Sequence, residues 1–107
     1  MSIDENLKIV RLIDTYGSTL TEKQFSIISS YYFDNLTLAE IGENMGISRQ
    51  AVSDSISQSI KSVTNLESKL GVISRGDELI GDLEELLDGL DNSSSNKLMQ
   101  IIEKYRR

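Results

Sequence analysis

The sequence predicts an all-α protein: a small helical bundle containing a helix-turn-helix, with a C-terminal helical extension. Three observations predict it. Apolar residues recur three and four positions apart along nearly the whole chain, the period of one helix face. Helix-capping residues stand just ahead of such runs at Thr21, Thr37 and Ser48. No Asn-Gly or Asp-Gly pair separates two alternating runs, as a strand hairpin would require.

The elements follow in order. Residues 3–16 carry Ile3, Leu7, Val10, Ile13 and Tyr16 on one stripe, stopped by Gly17. Thr21-Glu22-Lys23-Gln24 then has the form of a capping box, with Leu20 and Phe25 at the staple positions. The helix it opens is expected to hold Phe25, Ile28 and Tyr32 inward and to end near Asp34-Asn35. Thr37-Leu38-Ala39-Glu40 repeats the device, with Leu36 and Ile41 as its staple pair. That helix is short, because Gly46 follows Met45 and supplies a left-handed stop.

Ser48 caps the next helix, with Ile47 and Val52 at the staple spacing. Its stripe is Val52, Ile56, Ile60, Val63, Leu66 and Leu70, ahead of Gly71. The alternation of Ser53, Ser55, Ser57 and Ser59 would suit a half-buried strand. The intervening Asp54, Ile56, Gln58 and Ile60 are only half apolar, so the helical period is the better fit. A continuous helix from Arg49 to Leu70 would span about 33 Å. Its stripe and the Leu79–Leu90 face together offer a surface for homodimer pairing; the rival is a break at Thr64-Asn65 or Gly71 that folds those leucines back on their own bundle.

Beyond Gly71, Leu79, Ile80, Leu83, Leu86, Leu87 and Leu90 form a broad apolar helix face, and Asp82, Glu84, Glu85, Asp88 and Asp91 a solvated one. Asn92-Ser93-Ser94-Ser95-Asn96 reads as a turn or short linker. A last amphipathic helix carries Leu98, Ile101, Ile102 and Tyr105 and ends in Arg106-Arg107. The expected organisation is a helix-turn-helix domain over 1–71 and a helical extension over 72–107. The extension packs on the same domain or on a dimer partner.

Composition narrows the chemistry. The 107 residues include no His, Cys, Trp or Pro. Without His and Cys there is no Ser-His-Asp or Cys-His catalysis, no disulfide framework and no thiolate metal site. Paired carboxylates such as Glu84-Glu85 have no Gly-rich phosphate loop beside them, so no enzyme activity and no cofactor are expected. Asp4 and Glu5 stand where a signal peptide would be basic, and no run approaches a membrane span. A cytoplasmic protein that does not engage membranes is expected.

Residues 37–56 carry the information about function. A capped short helix, a Gly-containing turn and a second capped helix have the spacing of a helix-turn-helix. Ala39 is small where the two helices are expected to approach most closely. Leu38, Ile41, Ile47, Val52 and Ile56 are apolar where a shared core must be filled. In such a module the start of the second helix enters the major groove. Here that start offers Ser48, Arg49, Gln50, Ser53, Asp54 and Ser57. Arg49 can bridge two acceptors of a guanine and Gln50 can read an adenine. Thr37, at the amino end of the first helix, can meet a phosphate.

Charge qualifies that expectation. The net charge is −6 and the isoelectric point near 4.5, unlike a protein that coats nucleic acid non-specifically. By segment the charge is −1 over 1–20, −3 over 21–46, +1 over 47–70 and −3 over 71–107. The recognition helix is the only non-negative segment, yet its bases are only Arg49, Lys61 and Lys69. Few phosphates can be neutralised per subunit, so a homodimer is expected to be needed. Lys104, Arg106 and Arg107 can add contacts or complement their own helix dipole.

Several runs also resemble the YlxM family of small bacterial helix-turn-helix proteins. They are Tyr16-Gly17, Leu20-Thr21-Glu22-Lys23-Gln24, Tyr31-Tyr32-Phe33-Asp34, Leu38-Ala39-Glu40-Ile41, Ile47-Ser48-Arg49-Gln50-Ala51-Val52 and Asp54. The resemblance covers residues 7–70; the part after Gly71 matches poorly. The helix-turn-helix also looks like region 4 of sigma factors. Members of the family are often encoded beside the signal recognition particle GTPases. The resemblance therefore implies a regulatory role in that pathway, with DNA or RNA and particle components as partners. The chain departs from the family in having Ser53 where an aromatic is common, and no bases near Ser57 and Gln58. That loss favours a second reading, a protein-interaction adaptor of the targeting pathway with little nucleic-acid binding.

Overall fold

A computed structural model describes residues 3–106. Among them the chain forms six α-helices: α1 (Ile3–Tyr16), α2 (Glu22–Tyr32), α3 (Leu38–Met45), α4 (Arg49–Leu70), α5 (Val72–Leu86) and α6 (Asn92–Tyr105). Two 3-10 turns, Gly17–Thr19 and Leu87–Gly89, follow α1 and α5. There is no strand among the described residues. The chain forms two compact units, one running to Gly71 and one starting at Val72.

In the first unit α4 is the spine, and α1, α2 and α3 all pack on it. Ile13, Ile27, Ile28, Ile41, Val52 and Ile56 make the core, with Leu36, Leu38, Ile47 and Ile60 packed against it. Both threonine capping boxes form. Gln24 N–H donates to Thr21 Oγ1 at 3.1 Å while Thr21 N–H donates to Gln24 Oε1 at 3.1 Å. The pair at Thr37 and Glu40 has the same reciprocal geometry, at 3.1 and 3.0 Å.

The long helix is continuous. Thr64-Asn65 lies inside it, and Gly71 ends it at φ 64° with its N–H on Glu67 O at 2.8 Å. Glu67 also accepts a 2.6 Å hydrogen bond from the hydroxyl of buried Tyr16. This ties the last turn of α1 to the far end of α4.

Some inward assignments shift. On α1 the core is met only from Ile9 onward: Leu12, Ile13 and Tyr16 are buried, while Ile3 and Leu7 are exposed. On α2 it is Ile27 beside Ile28 that turns inward, and Phe25 is 43% exposed. The Phe25 ring instead covers Gly17, where a β-carbon would lie 2.8 Å from Phe25 Cε1. Leu70 is exposed at the end of α4.

Ser59, which carries no apolar signal, sits wholly buried on the inner face of α4, and its hydroxyl has no hydrogen-bond partner. A buried, unsatisfied hydroxyl costs stability. Ser59→Ala is therefore expected to stabilise the fold by about 1 kcal/mol, helped by the better helix propensity of alanine. Denaturant unfolding of the variant checks this; a lowered midpoint would contradict it.

In the second unit, the reading of Asn92–Asn96 as a turn is corrected: these residues are the first turn of α6. Asp91, expected on a solvated face, is the cap, its carboxylate accepting from Ser94 N–H at 2.8 Å. That bond holds the Asp91 carboxyl below its ordinary pKa. Small polar residues suit a turn and a helix start equally, and the preceding aspartate decides between them. Leu90 is not helical but extended between the 3-10 turn and the cap. The same joint links α1 to α2, where Leu20 N–H bonds Gly17 O at 3.0 Å and Thr21 caps.

Candidate nucleic-acid interface

The helix-turn-helix is α3, the Gly46 turn and α4. Three local devices fix its geometry. Thr37 and Glu40 close the start of α3, and the hydrogen bonds from Thr37 hold the Glu40 carboxyl below its ordinary pKa. A carboxylate with a lowered folded-state pKa stabilises above its unfolded pKa and loses that effect as pH falls through the folded one. This box therefore weakens only in acid. Gly46 ends α3 in the left-handed region at φ 69°. Ser48 Oγ accepts from Ala51 N–H at 3.0 Å and starts α4.

Ala39 is exposed and is not packed between the two helices. A tight contact lies instead at Gly42, where a β-carbon would stand 2.8 Å from the backbone oxygen of Ile47. The end of α3 and the turn can meet only because this position has no side chain. The Gly42 carbonyl also accepts from Ile47 N–H at 3.0 Å, locking the turn onto the helix it leaves.

Thr37→Ala removes the acceptor for Glu40 N–H and is expected to cost about 1 kcal/mol. Thermal unfolding checks it, and an unchanged midpoint would contradict it.

The expected contact residues divide into two groups. With Val52, Ile56, Ser59 and Val63 buried, the opposite face of α4 carries Gln50, Asp54, Ser57 and Lys61, all exposed. Ser53 stands at the edge of that face, half-buried. Gln50 Nε2 donates to Asp54 Oδ1 at 2.9 Å, so the amide that would read a base is already held by a carboxylate one turn on. Ser48 is exposed but spends an acceptor as cap.

The second group surrounds an open polar groove. Thr37 and Arg49 line it together with Asn6, Tyr31, Tyr32 and Asn35. The two tyrosine rings meet edge to face at 5.0 Å. Burial, and then the neighbouring Tyr31, raise the Tyr32 hydroxyl above its ordinary pKa. It stays neutral, a donor, throughout the physiological range. Arg49 is the only charged residue on this groove, and it is exposed. Asn6, Tyr31 and Asn35 carry no spacing signal that marks them in the sequence; α1, the end of α2 and the left-handed Asn35, at φ 59°, bring them there.

A further groove along α4 is lined by Gln24, Gln58, Lys61, Ser62, Thr64, Asn65 and Ser68, with no acid among them. Of the C-terminal bases, Arg106 is engaged by Glu84 at 2.6 Å and by Glu103 at 3.2 Å. Glu84 strengthens its hold on its proton. Arg107 lies outside the described residues. No group of three or more acidic residues is arranged to hold a metal ion among the described residues. No helix of theirs is long and apolar enough to cross a membrane.

A family profile described as "Putative helix-turn-helix protein, YlxM / p13 like" matches residues 3–105. The chain belongs to this UPF0122 family. The match runs well past the 7–70 resemblance, so the region after Gly71 is part of the family as well. The UPF0122 protein of Desulforamulus reducens is 39% identical over 99 residues, 92% of this chain and 85% of the relative. That of Halalkalibacterium halodurans is 35% identical over 102 residues, 94% of each chain. A Clostridium perfringens member is 38% identical over 103 residues, 96% of this chain and 90% of its own.

Proposed function

We propose that this chain is a regulatory helix-turn-helix protein of the signal recognition particle pathway that contacts DNA or RNA through the start of α4. It acts in the cytoplasm without catalysis, as a homodimer whose subunits each present a helix-turn-helix domain over 1–71 and an extension over 72–107. One observation carries the reading: the amino end of α4 is capped, exposed and flanked by a polar groove that sets Arg49 beside Thr37. Ser48, Arg49 and Thr37 serve the backbone and one base edge, while Gln50, Ser53, Asp54 and Ser57 face the bases. The pathway itself comes from the YlxM resemblance and its gene neighbourhood.

The scarcity of bases makes phosphate contacts few, so affinity per subunit is low and pairing is needed to raise it. Binding of labelled duplex DNA and of the particle's RNA, titrated against salt, tests the reading. Association that weakens as salt rises supports it; no binding to either at low salt overturns it. The Gln50–Asp54 hydrogen bond favours a second reading, an adaptor that uses the same face on a protein partner. Salt-independent capture of a particle protein, unaffected by Arg49→Ala, would select that one.

A further inference from the structure

Val72, Leu79 and Leu86 stand seven residues apart on α5 and are 48%, 59% and 57% exposed. A seven-residue repeat lies on one line of a helix and supplies one of the two apolar positions per heptad along which helices pair. The hairpin bearing it has 36 residues, from Val72 onward, and Ile102 is its one buried apolar side chain among those described. Units below about 40 residues generally need a metal, disulfides or association to be stable. With no cysteine in the chain a disulfide cannot supply this, and association with a second copy can.

Charge selects the occupant and its direction. Leu79 is the midpoint of the seam, with Arg75 four residues before it and Asp82 three after. At about 100° per residue Arg75, Asp82 and Glu85 fall on one flank of the stripe. In an antiparallel pair, a two-fold axis across the helices brings like flanks together. Arg75 lies about 6 Å from the midpoint, between Asp82 and Glu85 of the second copy at about 4.5 and 9 Å. A parallel pair brings opposite flanks together at equal height, and Arg75 then meets Gly76 with no carboxylate. Arg75 has no ion-pair partner within the chain among the described residues. Antiparallel pairing also opposes the helix dipoles.

We infer that α5 pairs antiparallel with α5 of a second copy of this chain, through Val72, Leu79 and Leu86, with Arg75 against Asp82 and Glu85 of that copy. The inference rests on the homodimer proposed above and names its interface. It is independent of nucleic acid, because the pairing is measured without any.

Sedimentation equilibrium of the full chain gives the dimer dissociation constant. Leu79→Glu replaces an exposed residue, so the fold is retained, and the constant is expected to rise at least about 100-fold. Arg75→Glu is expected to raise it about 10-fold at low salt and by less as salt rises, because screening relieves the new repulsion. The exchange Arg75→Glu with Asp82→Arg restores it to within a few-fold, which a merely structural role for either residue would not do. A wild-type monomer at high micromolar concentration overturns both the dimer and its interface. A dimer indifferent to Leu79→Glu, or a charge reversal that the exchange does not rescue, overturns this interface and leaves the dimer standing. None of these outcomes alters the binding test for Arg49.

Discussion

Gly42→Ala is expected to destabilise the first unit and to weaken nucleic-acid binding together. The added β-carbon would lie 2.8 Å from the Ile47 carbonyl oxygen, a backbone atom that cannot rotate away. Relief requires the end of α3 to move off the turn, and with it the start of α4. Overpacking of this kind costs about 1–3 kcal/mol, occasionally more. Alanine regains up to about 1 kcal/mol through helix propensity, which is too little to reverse the sign. Denaturant unfolding should show a lower midpoint with an unchanged slope. Equal stability would mean that the turn has more slack than its geometry indicates.

Arg49→Ala should separate function from stability. Arg49 is exposed at the first helical position of α4 and takes no part in the core. Its loss should leave the unfolding midpoint within about 0.5 kcal/mol, as for most surface changes. A bidentate arginine contact to a base carries about 1–3 kcal/mol of discrimination, and a phosphate contact carries a share of the salt dependence. Affinity is thus expected to fall roughly 10-fold or more, and the contrast between salt slopes tells a base contact from a phosphate contact. Fluorescence anisotropy with one DNA and one RNA probe measures both. Unchanged affinity would remove Arg49 from the interface and shift weight to the adaptor reading.

The two results bear on each other. A fall in binding for Gly42→Ala with an intact Arg49 shows that the turn positions the reading end. A fall for Arg49→Ala at full stability shows that the side chain itself is used.

Some of this site was legible at once, because its determinants are local. A threonine three residues ahead of Gln24 or Glu40 closes a box whatever the rest of the chain does. Gly46 after a run of helical spacing has one good use, and it has it. The helix-turn-helix could therefore be placed to the residue from caps and a glycine alone. Asn92–Asn96 misled for the same reason: serine and asparagine serve turns and helix starts alike, and only the Asp91 side chain resolves the choice.

Burial was less legible. The α1 stripe is apolar from Ile3 onward, but a stripe says which face is greasy and not how far the neighbouring helices extend to cover it. Phe25 has the composition of a core residue and is spent on Gly17 instead. Ser59 has the composition of a surface residue and is sealed inside. Each depends on which helices pack around that residue, information spread along the chain and not held in its neighbours.

By itself the sequence determined an all-helical chain, the limits of the helix-turn-helix and a charge too acidic for indiscriminate nucleic-acid binding. These follow from short-range hydrogen bonding, backbone freedom and counting of charge. Tertiary structure decided that Gly42 and not Ala39 is the close approach, and that Arg49 and Thr37 share one groove with Tyr31 and Tyr32. It also decided that Gln50 is held by Asp54. Contacts between groups distant in sequence, and the choice among several partners within reach, are set only once the helices have packed.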